Sequence, residues 1–473
     1  MPPIPLAQAL AVLQQELAVI TASRSEEVPL AEAVGRVSAE EVVATIDHPP
    51  GDQSLRDGVA YAPAATADSW PATTNSLVHR SIEFERDRQL VGEVFPGEHF
   101  ARPLVAGEAV RIMTGAVIPT GAVGVAMLEE VEWINDRDSD SSASHGRPHW
   151  ELARHATRVR LPTRCSSTHV LTRGSVFRRG ERLIPIGTQL QPIHIGLLAS
   201  TGRDSLCCFV KPRVAILTTG DELTNAGHAL QRDQIYNSNG PLLHSLLRLF
   251  GVTEIAVAHA GDSESQIVAW LHTQLGKVDL VLTTGAVSAG EKDQLPTLFQ
   301  RLGVRTLFHG VHLKPGKPIY CGRFRGHDHD RDANAAPSLN TMVMGFPGNP
   351  ISVWVTFHLF AWPLIAALSG SPARPNWFMA RLTQAGDYQD SRLTFWPGRL
   401  EFLSAPWEES NNVESLSHPS LAESLRVTPL DWQGSPDLRT PTAANCLIYF
   451  PPNAPAPTIN SPVHVMQLPM ILG

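Results

Sequence analysis

From Lys211 onward the chain alternates between short apolar runs and amphipathic runs, and this regularity constrains the fold more than any other feature. RVAILTTG (213–220) reads as a strand, QIYNSNGPLLHSLLRLFG (234–251) as a helix, VTEIAVAHAG (252–261) as a strand and SESQIVAWLHTQLG (263–276) as a helix. DLVLTTG (279–285), QLPTLFQRLG, VRTLFHGV, TMVMGFPG (341–348) and NPISVWVTFHLFAWPLIAALSG carry the pattern to Gly370. Apolar strands alternating with helices of this length predict a mostly parallel sheet covered on both faces. Ligands of such sheets bind outside the carboxyl ends of the strands.

The rest of the chain has a different texture. Leu6, Leu10, Leu13, Leu17 and Ile20 recur at helical spacing and predict an amphipathic helix. VPLAEAVGRVSAEEVVA (28–44) reads as a short strand, a helical turn stopped near Gly35 and a second short helix. After His48-Pro49-Pro50, β-like runs such as SLVHRSIEF (76–84) and GEAVRIM (107–113) lie between Gly/Pro turns and predict a small β-rich domain. Beyond Gly370, ARLTQA, LTFWPGRLEF, NCLIYF and PVHVMQL predict a terminal β-domain. Two polar runs, 135–149 and 323–334, read as solvated loops; the first lacks the spacing of an EF-hand, and the alternating His and Asp of the second read as adventitious metal binding or none.

Bulk properties exclude several classes. At 473 residues the chain is long enough for about three domains. Charged residues make up 18% and the formal net charge is −8, which disfavours both wholesale disorder and a nucleic-acid coat. Apolar stretches are broken by polar residues short of the ~20 needed to cross a bilayer, and MPPIPLAQAL lacks a basic signal start. A soluble cytosolic protein is expected, without nucleic-acid or membrane partners. The cysteines, an odd number at five and without any CxxC pair, argue against zinc.

Three glycine-bearing loops end predicted strands: TTGDEL (218–223), TTGAVSAGEKD (283–293) and GFPGNPIS (345–352). Glycine lets backbone N–H groups approach an oxyanion, and a helix starting behind the loop adds its positive end. In the third loop, Pro350 suits a first helical turn and Asn349 a cap. KPGKP presents Lys314 and Lys317 around a rigid turn, a pair of cations suited to phosphate. Glu222 and Asp293 would supply hard oxygen ligands for Mg²⁺, and Ser288 a hydroxyl for an oxyanion. Any one of these features alone is an ordinary turn; it is their convergence on one sheet edge that points to an anion site.

These residues carry a resemblance. DQSLRDGVAY (52–61), GEAVRIMTGAVIPTGA (107–122), RRGERLIPIGTQLQPIHIGLLASTG (178–202), QIYNSNG and the loops above, in this order, resemble the MoeA/gephyrin E-domain family, the molybdopterin molybdenumtransferases. The later motifs alone would also fit smaller MogA-like adenylyltransferases, while DQSLRDG and RIMTGA favour MoeA. The resemblance implies a homodimer of four-domain chains: an elongated linking domain from 1–47 and 155–200, an inserted β-rich domain 48–154, a MogA-like α/β domain 201–370 and a C-terminal β-barrel 371–473. It implies a reaction in which adenylylated molybdopterin, delivered by a MogA-like adenylyltransferase, receives molybdenum from molybdate and releases AMP with Mg²⁺. The site residues it implies are Asp57 and Thr114 from the inserted domain, facing the α/β domain of the other subunit. From the α/β domain it implies Glu222 and Asp293 for catalysis and metal, and Ser288, Lys314, Lys317, Gly348, Asn349 and Ser352 for substrate anions.

The chain departs from the family pattern in places. Arg182 and Asn237 stand where the family has acidic residues, Gly285-Ala286 replaces a double glycine, and MDGYA becomes Arg56-Asp57-Gly58-Val59-Ala60. Two readings follow: an active insertase that tolerates these exchanges, or a weakened paralogue that binds molybdopterin or partner proteins as a scaffold. Retention of Asp57, Thr114, Glu222, Asp293 and both lysines favours the first.

Overall fold

The computed structural model describes residues 2–20, 24–63, 87–135, 149–162, 169–286, 294–326, 340–371, 375–386, 388, 390–402 and 425–469. The predicted strand at 76–84 and most of both polar runs lie outside the described residues; Arg323 and Phe324, at the start of the second run, are buried in the strand Tyr320–Phe324 and not in a solvated loop. The chain gathers into two compact units, Met1–Glu40 with Ile186–Gln191 and Ser205–Gly473, and Glu41–Pro185 with Pro192–Asp204.

In the first unit a six-stranded sheet has the order Ile255–Ala260, Val214–Thr219, Leu280–Thr284, Thr341–Phe346, Tyr320–Phe324, Arg305–His309. The first three pairings are parallel and the last two antiparallel, so Tyr320–Phe324 alone runs against the other five, matching the mostly parallel sheet that the alternation predicts. Val214–Thr219, Leu280–Thr284 and Thr341–Phe346 are buried at every position because both faces are covered. Ile216, Leu282 and Met344 pack on one side with Leu243, Leu247 and Val353; Leu217, Val281 and Val343 pack on the other with Ile267, Leu298 and Phe299.

The N-terminal helix Leu6–Ile20 buries Ala9 and Leu13 in the first of these cores. Its Glu16 accepts from Arg323 at 2.6 Å and also from Arg305. Burial raises the carboxyl of Glu16, but the hydrogen bond from Arg323 and the two guanidinium charges together hold it below its ordinary value.

Pro350–Leu368 forms one continuous helical run, the one stretch among the described residues long and apolar enough to span a membrane, and 78% of it is buried inside the protein. Its polar residues do not interrupt it, contrary to the sequence expectation: Ser352, Thr356 and His358 are themselves buried. The run widens to a π-helix over Phe357–Ala361, just before Pro363. Proline lacks an N–H and crowds the carbonyl four residues back, and a wider turn relieves that conflict.

The C-terminal strands Trp377–Leu382, Leu393–Phe402, Leu425–Pro429, Cys446–Phe450 and Pro462–Gln467 close into a five-stranded barrel, because Leu393–Phe402 pairs with both Leu425–Pro429 and Cys446–Phe450. Leu382, Leu400, Val427, Ile448 and Val465 fill it.

The second unit holds a six-stranded mixed sheet in the order Gly124–Met127, Gly58–Tyr61, Glu108–Ile112, Asp87–Val94, Arg158–Arg160, Glu132–Ile134. Side chains alternate between two small cores, with Ala60, Val110 and Ile112 on one face and Val59, Tyr61 and Ala109 on the other.

Two local expectations fail. No helix follows Gly35: Val37 and Ser38 make bridges to Gln189 and Cys208, and Val42–Val43 pairs with Arg182–Ile184. The Ser38 and Ala39 N–H groups donate to Thr188 and Cys207 carbonyls, so distant partners outcompete the local helix. The helix predicted from Gln234 begins at Asn239 instead, because Ile235–Tyr236 pairs with Leu223–Thr224.

Candidate functional site

The carboxyl ends of Val214–Thr219, Leu280–Thr284 and Thr341–Phe346 lie side by side, and hydroxyls and amides stitch them together. Thr219 Oγ1 donates to the Thr284 carbonyl at 3.3 Å and Thr284 Oγ1 to the Pro347 carbonyl at 3.2 Å. Asn239, at the start of its helix, donates from Nδ2 to Thr284 Oγ1 at 2.9 Å and to the Gly348 carbonyl at 2.7 Å. One amide thus ties two of the three predicted loops together. Its Oδ1 is buried without a hydrogen-bond partner among the described residues, an uncommon state for a buried acceptor.

Gly285 has φ +93°, and a Cβ there would sit 2.7 Å from the Thr219 carbonyl oxygen, so this turn requires glycine. Ala286 follows at φ 51°, a left-handed conformation that costs an L-residue about 1–2 kcal/mol. Ser288 and Asp293 lie outside the described residues.

Asn237 is 8% exposed and satisfied at both ends: Nδ2 donates to Thr218 Oγ1 at 2.9 Å, and Oδ1 accepts from the Gly240 N–H at 3.0 Å. It therefore serves the first turn of the helix as a cap. Glu222 is exposed, and its carboxylate folds back over Gly220. Among the described residues no group of three or more His, Cys, Asp or Glu is placed to hold a metal. Mg²⁺ needs only one or two carboxylates when phosphates and water complete its shell, so an open carboxylate such as Glu222 fits that ion.

The GFPGNPIS loop corrects one expectation. Asn349 takes an extended N-cap conformation, but its side chain makes no cap bond. Its Nδ2 donates instead to Ser435 Oγ at 2.9 Å, while the Ile351 N–H donates to the Ser435 carbonyl at 3.1 Å. A donor of this helix end is thus taken by the C-terminal part of the chain. Gly348 faces open space, and Ser352 is buried.

The KPGKP turn is pressed against the same helix. Gly316 has φ +106°, and a Cβ on it would overlap the Thr356 methyl and approach the Ser352 carbonyl. Lys317 is exposed; Lys314 is half-buried, with its ammonium 3.0 Å from Asp390.

In the second unit, Asp57 and Thr114 meet as a pair. Asp57 Oδ1 accepts from the Thr114 N–H at 2.7 Å and from its hydroxyl at 2.8 Å, and both residues are exposed. Arg182 is not an unpaired intrusion: its Nε lies 2.6 Å from Glu41 in an exposed ion pair. Sequence reasoning missed Asn239, Ser435 and Asp390. Asn239 sits within the QIYNSNG motif and was within reach; the other two act on partners more than seventy residues away and carry no local signal.

Comparison with known proteins identifies the family. Residues 4–202 match the family described as MoeA N-terminal region (domain I and II), and residues 215–367 match a probable molybdopterin binding domain. A molybdopterin molybdenumtransferase of Haemophilus influenzae is 30% identical over 378 residues, covering 80% of this chain and 81% of the relative. One from a Nostoc species is 30% identical, covering 86% and 85%. The crystal structure of a molybdopterin biosynthesis MoeA protein from Pyrococcus superposes with TM-score 0.71 at 23% identity, covering 98% of this chain and 99% of that one, and so shares its fold. The two matched regions define a protein with a molybdopterin-binding class of α/β domain. The chain belongs to the molybdopterin molybdenumtransferase (MoeA) family.

Proposed function

We propose that the protein transfers molybdenum from molybdate to adenylylated molybdopterin with Mg²⁺-dependent release of AMP. The observation that carries this reading is the Oδ1 of Asn239 at the ends of three parallel strands, without a partner among the described residues, an acceptor that a ligand N–H would satisfy. The lysine turn packed against the helix that follows the third of these strands supports it, because a pyrophosphate and a molybdate are anions that need cations in a partly dry cleft. Lys314 and Lys317 supply that charge, and Gly348 leaves room at the loop for the substrate. Asn349 and Ser352 shape the adjoining helix end, and Ser288 adds a hydroxyl.

Glu222 and Asp293 would hold Mg²⁺, whose charge would neutralise phosphate oxygens. Asp57 and Thr114 act as one unit, the Thr114 N–H and hydroxyl fixing the carboxylate so that its second oxygen remains for the substrate. We place this pair opposite the α/β site of a second subunit in a cytoplasmic homodimer supplied by a MogA-like adenylyltransferase. Arg182 and Asn237 are compatible with turnover, since one is an exposed ion pair and the other a satisfied cap.

The test is direct. Purified protein given adenylylated molybdopterin, Mg²⁺ and molybdate should release AMP and form molybdenum cofactor. Tight binding of the nucleotide without AMP release would instead identify a weakened paralogue.

A further inference from the structure

The strand Leu313–Lys314 leaves the α/β sheet and runs parallel to the first residues of Leu393–Phe402, with Leu313 opposite Leu393 and Lys314 opposite Thr394. That register sets Lys314 beside the residues leading into the long barrel strand. There Asp390 Oδ1 accepts from the Arg392 N–H at 2.9 Å and from Arg392 Nε at 3.0 Å, while Oδ2 accepts from Arg392 Nη2 at 3.3 Å. The Asp390 carbonyl accepts from the Asn453 N–H at 2.9 Å. A carboxylate gripped by a planar guanidinium fork, on a backbone that is itself tied down, has little freedom. The Lys314 ammonium, 3.0 Å from Oδ2 at the end of a flexible four-carbon stem, is the member of the pair that gets placed.

We propose that Asp390 is the positioning residue of Lys314, aiming its ammonium at the substrate anion; this rests on the molybdenumtransferase reading above. The lysine has three donors, so two remain for an incoming oxyanion. The Asp390 side chain is 14% exposed against 37% for Lys314, so the cation rather than the carboxylate faces solvent. The hydrogen bond from Arg392 outweighs burial and, with that from Lys314, holds the Asp390 carboxyl well below the usual carboxylate range. It stays charged and does not compete for the proton of the lysine.

Aim and charge have opposite consequences here. Two cations and one anion leave the cluster with one net positive charge, and Asp390→Asn raises it to two. By charge alone that variant binds an anionic substrate more tightly. By loss of aim it turns substrate over more slowly.

The experiment measures AMP release by the full-length protein, with kcat and KM determined separately for Asp390→Asn, Lys314→Ala and the double variant. Asp390→Asn should lower kcat about tenfold while KM for adenylylated molybdopterin stays level or falls. Lys314→Ala should lower kcat further, and adding Asp390→Asn to it should cost nothing more, since a carboxylate acting through the lysine has no role once the lysine is gone. A purely structural effect would lower the active fraction alike in both backgrounds, so losses that multiply overturn the proposal. Unchanged kcat in Asp390→Asn overturns it alone. No AMP release from the unmodified protein overturns the functional reading and this one with it.

Discussion

The strand ends of the α/β domain and the Asp57 corner of the other unit use hydrogen bonds in opposite ways. At the strand ends Thr218, Thr219, Thr284, Asn237 and Asn239 are buried and bonded mainly to one another and to the backbone. At the corner one carboxylate and one threonine are exposed, and two bonds serve only to orient Oδ1. The first arrangement sets the shape of a cleft and contributes to folding. The second presents charge and contributes little to folding. Mutations should therefore separate the two regions: at the strand ends stability responds, together with turnover where Asn239 meets the substrate, and at the corner turnover responds alone.

The largest effect is expected at the corner. Asp57→Ala should lower AMP release about a thousandfold, ~4 kcal/mol of barrier, with the melting temperature nearly unchanged. A large fall in melting temperature would erase the contrast. Within the α/β domain, His358 lies among the rings of Phe250, Trp354, Phe357 and Trp362, with Nδ1 2.8 Å from the Trp354 carbonyl. Burial lowers its pKa from 6.5 to about 4. The unfolded chain takes up this proton near pH 6.5 and the folded one only near 4, so stability is full above 6.5 and falls as pH drops between these values. The loss should be about 3 kcal/mol. Denaturant titrations across that window should show it, and His358→Leu should flatten the dependence.

A smaller effect is expected from Asn239→Ala. It removes two donated bonds, one to the buried Thr284 hydroxyl and one to the part-buried Gly348 carbonyl, and should cost about 2 kcal/mol in chemical denaturation, where an equivalent change at Thr114 costs under 1 kcal/mol. The smallest comes from Ala286→Gly, which relieves a left-handed φ but loosens the unfolded chain, for a net gain of at most about 1 kcal/mol. A loss there would mean that the Ala286 methyl packs better than its backbone strain suggests.

How much of this was legible in the sequence follows from the range of the interactions. The parallel strands were readable because burial on two faces leaves runs such as VAILTT and LVLTT wholly apolar or hydroxylic. The N-terminal helix was readable from its spacing; the resemblance carried by two motifs singled out Asp57 and Thr114 but not the hydrogen bonds that pair them. Ile235–Tyr236 misled because it adjoins a true helix and differs from it only through a partner at Leu223–Thr224. The barrel strand Leu425–Pro429 went unread because it is five residues long and follows a Ser-rich stretch. The capping role assigned to Asn349 failed for a related reason: a side chain chooses among all donors and acceptors in reach, and Ser435 comes into reach only through the fold.

The Leu313–Lys314 strand has a bearing on how this protein can be dissected. Its neighbours on either side along the chain, Arg305–His309 and Tyr320–Phe324, belong to the α/β sheet, yet its own pairing partner arrives from beyond Gly370. A truncation there would leave the lysine turn with a frayed margin. Fragments cut at that seam would report on a damaged module, not on an autonomous one.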